Sequence, residues 1–232
     1  SAQYGEEQAL ALCRAWQQSA GLDIRVNTIK AQRDTVLARL QAEGIDCMPT
    51  PYSPVGIRLA KKIALNRHPL FLEGAIEVQD EGSQLLSLLL APKRQEMVVD
   101  FCAGAGGKTL HLGAMMLSQG RLYAFDISEK RLNNLKPRLK RSGLSNVTPQ
   151  LLASENDIKI KRLAGKINKV LVDAPCSGLG TLRRNPDLKW RQSAQGVAEL
   201  IQKQTRILQS AANLLKVGGR IVYATCSVLE EE

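Results

Sequence analysis

From residue 96 onward, short apolar runs alternate with longer amphipathic segments. The runs end in small or polar residues, as strands of a buried parallel sheet do, and the segments between them carry helical spacing. The predicted strands are residues 96–103, 121–128, 146–153, 168–175 and 220–227, and the predicted helices are residues 106–120, 129–143 and 194–219. This alternation predicts an α/β fold, in which a parallel sheet carries helices on both faces.

The chain before this alternation has a different pattern. A helix over residues 6–21 precedes a strand at 23–28, a second helix at 32–44 and a proline-rich loop that leads into a short strand. This order predicts a small α+β subdomain over residues 1–75. The main domain then covers residues 76–232 and opens with a helix over residues 76–92.

The charge of the chain favours a polyanionic partner. The net charge is +10, and residues 76–232 hold 23 Lys and Arg against 15 Asp and Glu, whereas residues 1–75 hold nine against seven. A basic excess of this kind is typical of nucleic-acid binding, although a surface charged only for solubility would give the same count.

Several classes of protein are disfavoured by what the sequence lacks. No run of 18 apolar residues occurs, and the first residues show neither the basic start nor the apolar core of a signal peptide. The five cysteines are widely spaced, odd in number and free of C-x-x-C pairs, which argues against a disulfide framework or a metal site. We therefore expect a cytoplasmic protein without membrane or metal, with Cys13 and Cys47 as small buried apolar residues.

A glycine-rich turn, VVDFCAGAGGKT at residues 98–109, joins the first main-domain strand to its helix. The turn does not match a Walker A loop, because Cys102 stands where that motif needs its first glycine. Gly104 and Gly106 match the first two glycines of the dinucleotide motif G-x-G-x-x-G, but Thr109 stands at the third. Such a loop suits a ligand without phosphate, such as the methionine part of S-adenosylmethionine. Asp126, at the end of the next strand, is spaced to accept both hydroxyls of a ribose. The alternative is a packing turn without a ligand.

Two cysteines follow two strand-like runs, in LVDAPCSG at residues 171–178 and IVYATCSV at residues 221–228. Because ligands bind beyond the carboxyl ends of parallel strands, Asp173, Cys176 and Cys226 should face one cleft. A thiolate that attacks carbon 6 of a pyrimidine makes carbon 5 nucleophilic enough to take a methyl group. Spacing alone does not say which thiol attacks, and both could instead be buried apolar residues.

Five segments together resemble the RsmB/Sun (NOL/NOP/Sun) family of RNA cytosine-5 methyltransferases. They are VQDEGSQ (78–84), DFCAGAGGKT (100–109), AFDIS (124–128), VDAPCSGLGTLRRNPDLKW (172–190) and YATCSV (223–228). The resemblance implies a Rossmann-like methyltransferase sheet with helices on both faces, preceded by a small α+β RNA-binding subdomain. It also implies S-adenosylmethionine as cofactor, and ribosomal RNA with a single-stranded or flipped-out cytosine as substrate.

The resemblance also implies roles for individual residues. Cys226 would be the nucleophile, Cys176 would assist product release, and Asp173 would lie where cofactor and base meet. Asp126 would hold the ribose. The amino-acid end of the cofactor would contact Cys102, Ala103, Gly104, Ala105, Gly106, Gly107 and Lys108.

The chain departs from the family pattern at two places. Gly104 and Ala105 stand where the family usually has Ala and Pro, which predicts a more flexible loop. The family's acidic residue after the third strand falls at Ser154, with Asp157 three residues later as the candidate for the adenine side. The family also continues beyond the VLEEE with which this sequence ends, so we expect the C-terminal end of the domain to be incomplete.

Other functions compete with RNA methylation. An RNA-binding or assembly factor could keep the fold without turnover, and an amino-group methyltransferase is disfavoured because DAPC replaces its usual motif. Basic residues after the first cysteine could hold RNA phosphates or form a solvated loop. They are Arg183, Arg184, Lys189 and Arg191. We expect a monomer.

Overall fold

The structure is a computed structural model and describes residues 3–232. It contains two sheets. The strands are β1 (Leu22–Val26), β2 (Cys47–Pro49), β3 (Gly56–Leu59), β4 (Ile76–Val78), β5 (Met97–Asp100), β6 (Arg121–Asp126), β7 (Val147–Leu151), β8 (Ile167–Asp173) and β9 (Leu215–Ala224). The helices are α1 (Gly5–Gln17), α2 (Arg33–Ala42), α3 (Pro69–Leu72), α4 (Glu81–Leu90), α5 (Gly107–Met115), α6 (Glu129–Ser142), α7 (Ile158–Lys161), α8 (Leu188–Arg191) and α9 (Ala194–Ala212).

The N-terminal sheet has the order β2-β3-β1-β4, and its neighbouring strands are antiparallel. Apolar side chains of β1, β3 and β4 pack with α2, on which Val36 and Leu40 are buried, and form a core of their own. Cys47 belongs to this core as predicted. Cys13 lies exposed on α1, so its interpretation as a buried apolar residue is wrong.

The segment 76–92, predicted as one helix, divides into a strand and a helix. Residues 76–78 pair with β1 as an antiparallel strand, in which both Ile76 and Glu77 are buried. Helix α4 begins only after Asp80. The N-terminal sheet therefore extends past residue 75, and the domain boundary drawn there stays a prediction.

The second sheet has the order β7-β6-β5-β8-β9, and all its neighbouring strands are parallel. Alternate residues of β5 and β8 face opposite sides: Val99 and Val170 pack with α7 and α9, whereas Val98 and Leu171 pack with α4 and α5. The predicted parallel sheet with helices on both faces is confirmed. The carboxyl ends of its strands therefore lie on the same side of the sheet, and the polar and cysteine residues predicted for the site follow those ends in the sequence.

The last predicted helix is shorter than expected. Residues 194–219 were predicted to be helical, but α9 ends at Ala212 and β9 begins at Leu215. Leu215 pairs with Ile167, and a register irregularity follows between Ile167 and Lys169. Gly218, with φ of +76°, lies within this strand segment rather than ending a helix.

Two features are absent from residues 3–232. Among these residues, no helix is both long and apolar enough to cross a membrane. The same residues contain no group of three or more His, Cys, Asp or Glu side chains placed to hold a metal ion.

Candidate active site

A cleft of about 990 Å³ lies at the carboxyl ends of β5, β6 and β8. Most predicted site residues line it: Cys102, Ala103, Gly104, Ala105, Gly107, Lys108, Asp126, Asp173, Cys176 and Cys226. Residues 78–80, at the end of β4 and directly after it, and Ser83 on α4 line it from the other side. The cleft therefore lies between the two sheets and gathers residues that are up to 148 positions apart.

The carboxylate of Asp126 binds the backbone of the glycine-rich loop. Its Oδ2 accepts the N–H of Gly104 at 2.8 Å, and its Oδ1 accepts the N–H of Ser128 at 2.8 Å. Gly106 does not line the cleft. Its φ of +86° requires a glycine, and an added Cβ would come within 2.1 Å of Leu135 Cδ1. Gly106 therefore shapes the loop from behind instead of contacting a ligand.

The chemistry of the cleft fits S-adenosylmethionine. Beside the loop amides it offers the carboxylate of Asp126, the residue predicted to hold the ribose, and apolar walls that include Ile127, Leu152 and Ile207. Lys108 Nζ is bound to Asp173 Oδ2 at 2.6 Å, so its charge is already balanced by a carboxylate. The loop thus suits a ligand that brings hydroxyls, a purine and an amino acid better than a triphosphate.

Two groups beneath the loop have raised pKa values, and of these the Cys102 thiol is the one held neutral at neutral pH. Burial raises the pKa of the Asp100 carboxyl to about 6, even though its Oδ2 accepts a hydrogen bond from Thr109 Oγ1 at 2.6 Å. Burial also raises the pKa of the Cys102 thiol to about 12. A thiol of that pKa is not a nucleophile at neutral pH, so Cys102 can serve the loop only through its backbone and packing.

The two strand-end cysteines meet at the mouth of the cleft. Cys176 Sγ and Cys226 Sγ lie 3.3 Å apart, and the backbone N–H of Cys226 donates to Cys176 Sγ at 3.2 Å. The serines that follow them hold the two loops together, because Ser177 Oγ and Ser227 Oγ are 3.0 Å apart. In each Cys-Ser pair, the cysteine lines the cleft and the serine hydroxyl takes part in the hydrogen bond that joins the two loops.

The two thiols differ in acidity. The hydrogen bond from Cys226 is the main cause that lowers the pKa of Cys176 to about 7, helped by the backbone N–H groups of Gly178 and Cys226. The same contact, burial and nearby Asp173 raise the pKa of Cys226. Cys176 is therefore the more acidic thiol of the pair, and the proton that the two sulfurs share lies preferentially on Cys226.

This shared proton gives a testable pH dependence. We expect the alkylation of Cys176 by iodoacetamide to rise through a midpoint at about pH 7, because only the thiolate reacts. In Cys226→Ala the main stabilising donor is lost, so the midpoint should move upward. Peptide mass spectrometry across pH measures both, with exposed Cys13 as the internal reference. An unchanged midpoint in Cys226→Ala would contradict the shared proton.

Asp157 lies away from the cleft. Its carboxylate accepts the N–H groups of Ala153 at 2.8 Å and Lys159 at 2.9 Å, which lowers its pKa and caps α7. An acid at the first residue before a helix serves this role readily, and this geometry does not favour the predicted adenine contact, which stays a prediction. Ser154 and Glu155 line the cleft instead.

Two of the basic residues assigned to RNA phosphates are used within the protein. Arg183 donates to the carbonyls of Gln18 and Ser19 at 3.2 and 2.7 Å. Arg184 donates to the Gly21 carbonyl at 3.0 Å and pairs with Asp80. Both guanidinium groups thus join the segment after Cys176 to the N-terminal part of the chain.

Sequence reasoning missed a carboxylate that braces the cysteine loops. Glu232 Oε1 accepts the N–H of Ser177 at 2.8 Å and the side-chain amide of Gln204 at 3.0 Å. Lys203, on α9, also lines the cleft without having been predicted. Neither residue stands at a strand end, which was the signal that identified the others.

Family models match both parts of the chain. The model described as 16S rRNA methyltransferase RsmB/F matches residues 87–232. A second model, described as the ferredoxin-like domain of RsmF/B-like methyltransferases, matches residues 1–66. The N-terminal sheet is therefore a ferredoxin-like domain.

Curated relatives carry similar descriptions. A probable ribosomal RNA small subunit methyltransferase B of Synechocystis sp. is 36% identical over 229 residues, which are 97% of this chain and 50% of that protein. The ribosomal RNA small subunit methyltransferase B of Proteus mirabilis is 37% identical over 217 residues, 90% of this chain and 49% of that protein. The chain thus spans about half the length of the curated relatives it matches.

Solved structures agree on the fold, and the family follows from the models and motifs together. A methyltransferase homolog from Pyrococcus horikoshii has a TM-score of 0.88 and 32% identity, and the match covers 99% of this chain and 72% of that one. NSun6 from the same organism, crystallised with SFG, has a TM-score of 0.89 at 21% identity, covers 99% and 82%, and shows the fold alone. The chain belongs to the RsmB/F family of rRNA methyltransferases, as its motifs predicted, and S-adenosylmethionine is its cofactor.

Proposed function

We propose that this protein transfers a methyl group from S-adenosylmethionine to carbon 5 of a cytosine in small-subunit ribosomal RNA. The observation that supports this most is the thiol pair, Cys176 and Cys226, 3.3 Å apart at the mouth of the cofactor cleft. Methylation of an amino group or a ribose hydroxyl needs no thiol, whereas methylation of carbon 5 needs a nucleophile at carbon 6.

The cofactor would lie with its ribose on Asp126 and its amino-acid end against the loop from Cys102 to Lys108. Asp126 is 4% exposed, and it accepts two backbone N–H groups, so the orientation of its carboxylate is fixed by the protein. Each carboxylate oxygen keeps a second lone pair for a ribose hydroxyl. S-adenosylmethionine supplies the methyl group when bound.

The target cytosine would lie between the thiols and Asp173. The Asp173 carboxylate is about one-third exposed to the cleft and is oriented by Lys108 at 2.6 Å. An oxygen in that position can accept a hydrogen bond from the 4-amino group of cytosine, which uracil lacks. Since carbon 6 is inaccessible within a stacked helix, the base would enter the cleft unpaired or flipped out.

The two thiols would then divide the chemistry. As Cys226 Sγ forms its bond to carbon 6, its proton passes to the Cys176 thiolate. After carbon 5 has taken the methyl group, the carbon 5 proton leaves to water or a base in the cleft, and the bond from carbon 6 to Cys226 Sγ breaks. Cys176 returns its proton to the departing Cys226 thiolate, which completes the cycle.

The protein would also contact parts of the RNA other than the target base. Lys189 and Arg191 on α8 stay candidates for phosphate contacts, because Gln192, directly after α8, donates to the Ser177 carbonyl at 2.6 Å. Arg191 also pairs with Asp187 at 2.6 Å, and both of these side chains are exposed. We also propose that the ferredoxin-like domain binds RNA, since it borders the cleft through residues 78–80.

Transfer of a labelled methyl group tests the proposal. The protein is incubated with methyl-labelled S-adenosylmethionine and unmodified 16S rRNA, the RNA is digested, and the nucleosides are separated. We expect label in 5-methylcytidine alone. Label in another nucleoside would overturn the carbon 5 assignment, and RNA binding without any transfer would favour the non-catalytic assembly factor.

A further inference from the structure

Glu77, on the last strand of the ferredoxin-like domain, is buried between arginines of both parts of the chain. It is 4% exposed and stands opposite the fully buried Arg25 on β1. From α6 of the methyltransferase domain, Arg138 reaches its Oε2 at 3.0 Å and Arg141 reaches its Oε1 at 2.5 Å. A carboxylate so placed is held by charge-assisted hydrogen bonds on both oxygens.

Arg138 makes one contact that Arg141 does not. While its Nε and Nη2 bind Glu77, its Nη1 donates to the carbonyl of Ala105 at 2.7 Å. Ala105 lies in the glycine-rich loop, directly after Gly104, whose amide Asp126 holds. A rigid planar guanidinium can serve a carboxylate and a carbonyl together, which a lysine cannot do with the same geometry.

The loop needs such a support. Residues 104–107 contain three glycines, and two of them, Gly104 and Gly106, have positive φ. Backbone of this composition loses much conformational entropy when it is ordered, so each fixed contact matters for a ligand that binds through loop amides. Asp126 accepts the Gly104 amide of the loop, and Arg138 donates to its Ala105 carbonyl.

We infer that Arg138 is a positioning residue for the cofactor loop and that Glu77 acts on the loop through it. Glu77 thereby contributes to the cofactor site without lining the cleft, whereas Arg138 is one of the residues that line it. This inference rests on the proposed cofactor placement. It assigns to the Glu77–Arg138 pair a role in cofactor affinity, beyond joining two domains.

Arg141 provides a matched control. It pairs with the same carboxylate from the same helix, and it packs over the Phe71 ring at 4.1 Å, but its contacts lie away from the loop. Arg138→Ala and Arg141→Ala each leave Glu77 with one arginine of α6 and with Arg25 opposite it, so both variants retain a paired buried charge. They differ in the contact with Ala105.

The test is a double-mutant cycle on cofactor affinity, measured by calorimetry with S-adenosylmethionine. Arg138→Ala should raise Kd about tenfold, in line with the loss of one charge-assisted hydrogen bond, and Arg141→Ala should change it less than about twofold. Glu77→Gln should raise Kd severalfold in the wild-type background and have no further effect in Arg138→Ala. Equal Kd values for the two arginine variants, or additive effects of Glu77→Gln and Arg138→Ala, would overturn the inference.

Hydrogen exchange of the cofactor-free protein is a second, independent test of whether Arg138 holds the loop. The amides of residues 104–107 should exchange faster in Arg138→Ala than in Arg141→Ala, while thermal unfolding confirms that both variants are folded. Unchanged exchange in Arg138→Ala would contradict the inference. If the wild-type protein failed to bind S-adenosylmethionine, the proposed cofactor placement would fall, and the exchange rates would still decide whether Arg138 holds the loop.

Discussion

Cys226→Ser should abolish methyl transfer and leave no covalent complex between protein and RNA. A serine hydroxyl is not ionised at neutral pH, so it cannot replace the thiolate that attacks carbon 6. The variant should remain folded, because Cys226 is exposed at the cleft mouth and contributes little to the core. Methyl transfer to rRNA and a denaturing gel of protein with RNA measure the two outcomes.

Cys176→Ala should behave differently and serves as the comparison. Attack by Cys226 and methyl transfer stay possible, but the departing thiolate has lost the proton donor 3.3 Å away. Elimination should therefore slow, and an adduct that survives denaturation should accumulate. The double variant should form no adduct.

The gel also decides between two indications that disagree. The family resemblance makes Cys226 the nucleophile, whereas the pKa order of the ligand-free cleft makes Cys176 the more available thiolate. The proton transfer from Cys226 to Cys176 reconciles them, because the acidic thiol then acts as the base for the other. An adduct in Cys226→Ser and none in Cys176→Ala would reverse these roles.

Asp126→Ala should weaken cofactor binding by about 1.5–3 kcal/mol, the usual contribution of hydrogen bonds to a charged group. That loss corresponds to a Kd raised roughly tenfold to more than a hundredfold. The carboxylate both faces the ribose position and holds the Gly104 amide, so its removal affects ligand and loop together. Calorimetry with S-adenosylmethionine measures the change in Kd.

Asp157→Ala is the matched control for that experiment. It removes the same side chain from a helix cap outside the cleft and should leave cofactor affinity unchanged. Unchanged affinity in a folded Asp126→Ala variant would mean that the cofactor binds elsewhere.

The fold was largely predictable because the sheet imposes a simple pattern. A parallel strand with helices on both sides must be apolar along its length, and the runs around Val98, Phe125 and Val170 show this directly. Short edge elements were less predictable. Strand β4 has only three residues, and its pairing with β1 depends on tertiary contacts that no local window contains.

The site was predictable where its residues follow strands. Asp126, Asp173 and Cys176 lie at carboxyl ends, and the topology of a parallel sheet brings those ends together. Contacts between distant elements were not predictable. No residue near Arg138 in the sequence indicates that its side chain binds the Ala105 carbonyl. Likewise, no residue near Arg183 in the sequence indicates that it binds the carbonyls of Gln18 and Ser19, so a phosphate contact was one of its two interpretations.

Release of the hydrogen from carbon 5 tests the central claim most directly. Small-subunit rRNA is prepared with tritium at carbon 5 of its cytosines and incubated with the protein and S-adenosylmethionine. Methylation at carbon 5 must displace that hydrogen, so we predict one tritium released to water for each methyl group transferred. Methyl transfer without tritium release would contradict cytosine carbon 5 as the site of methylation.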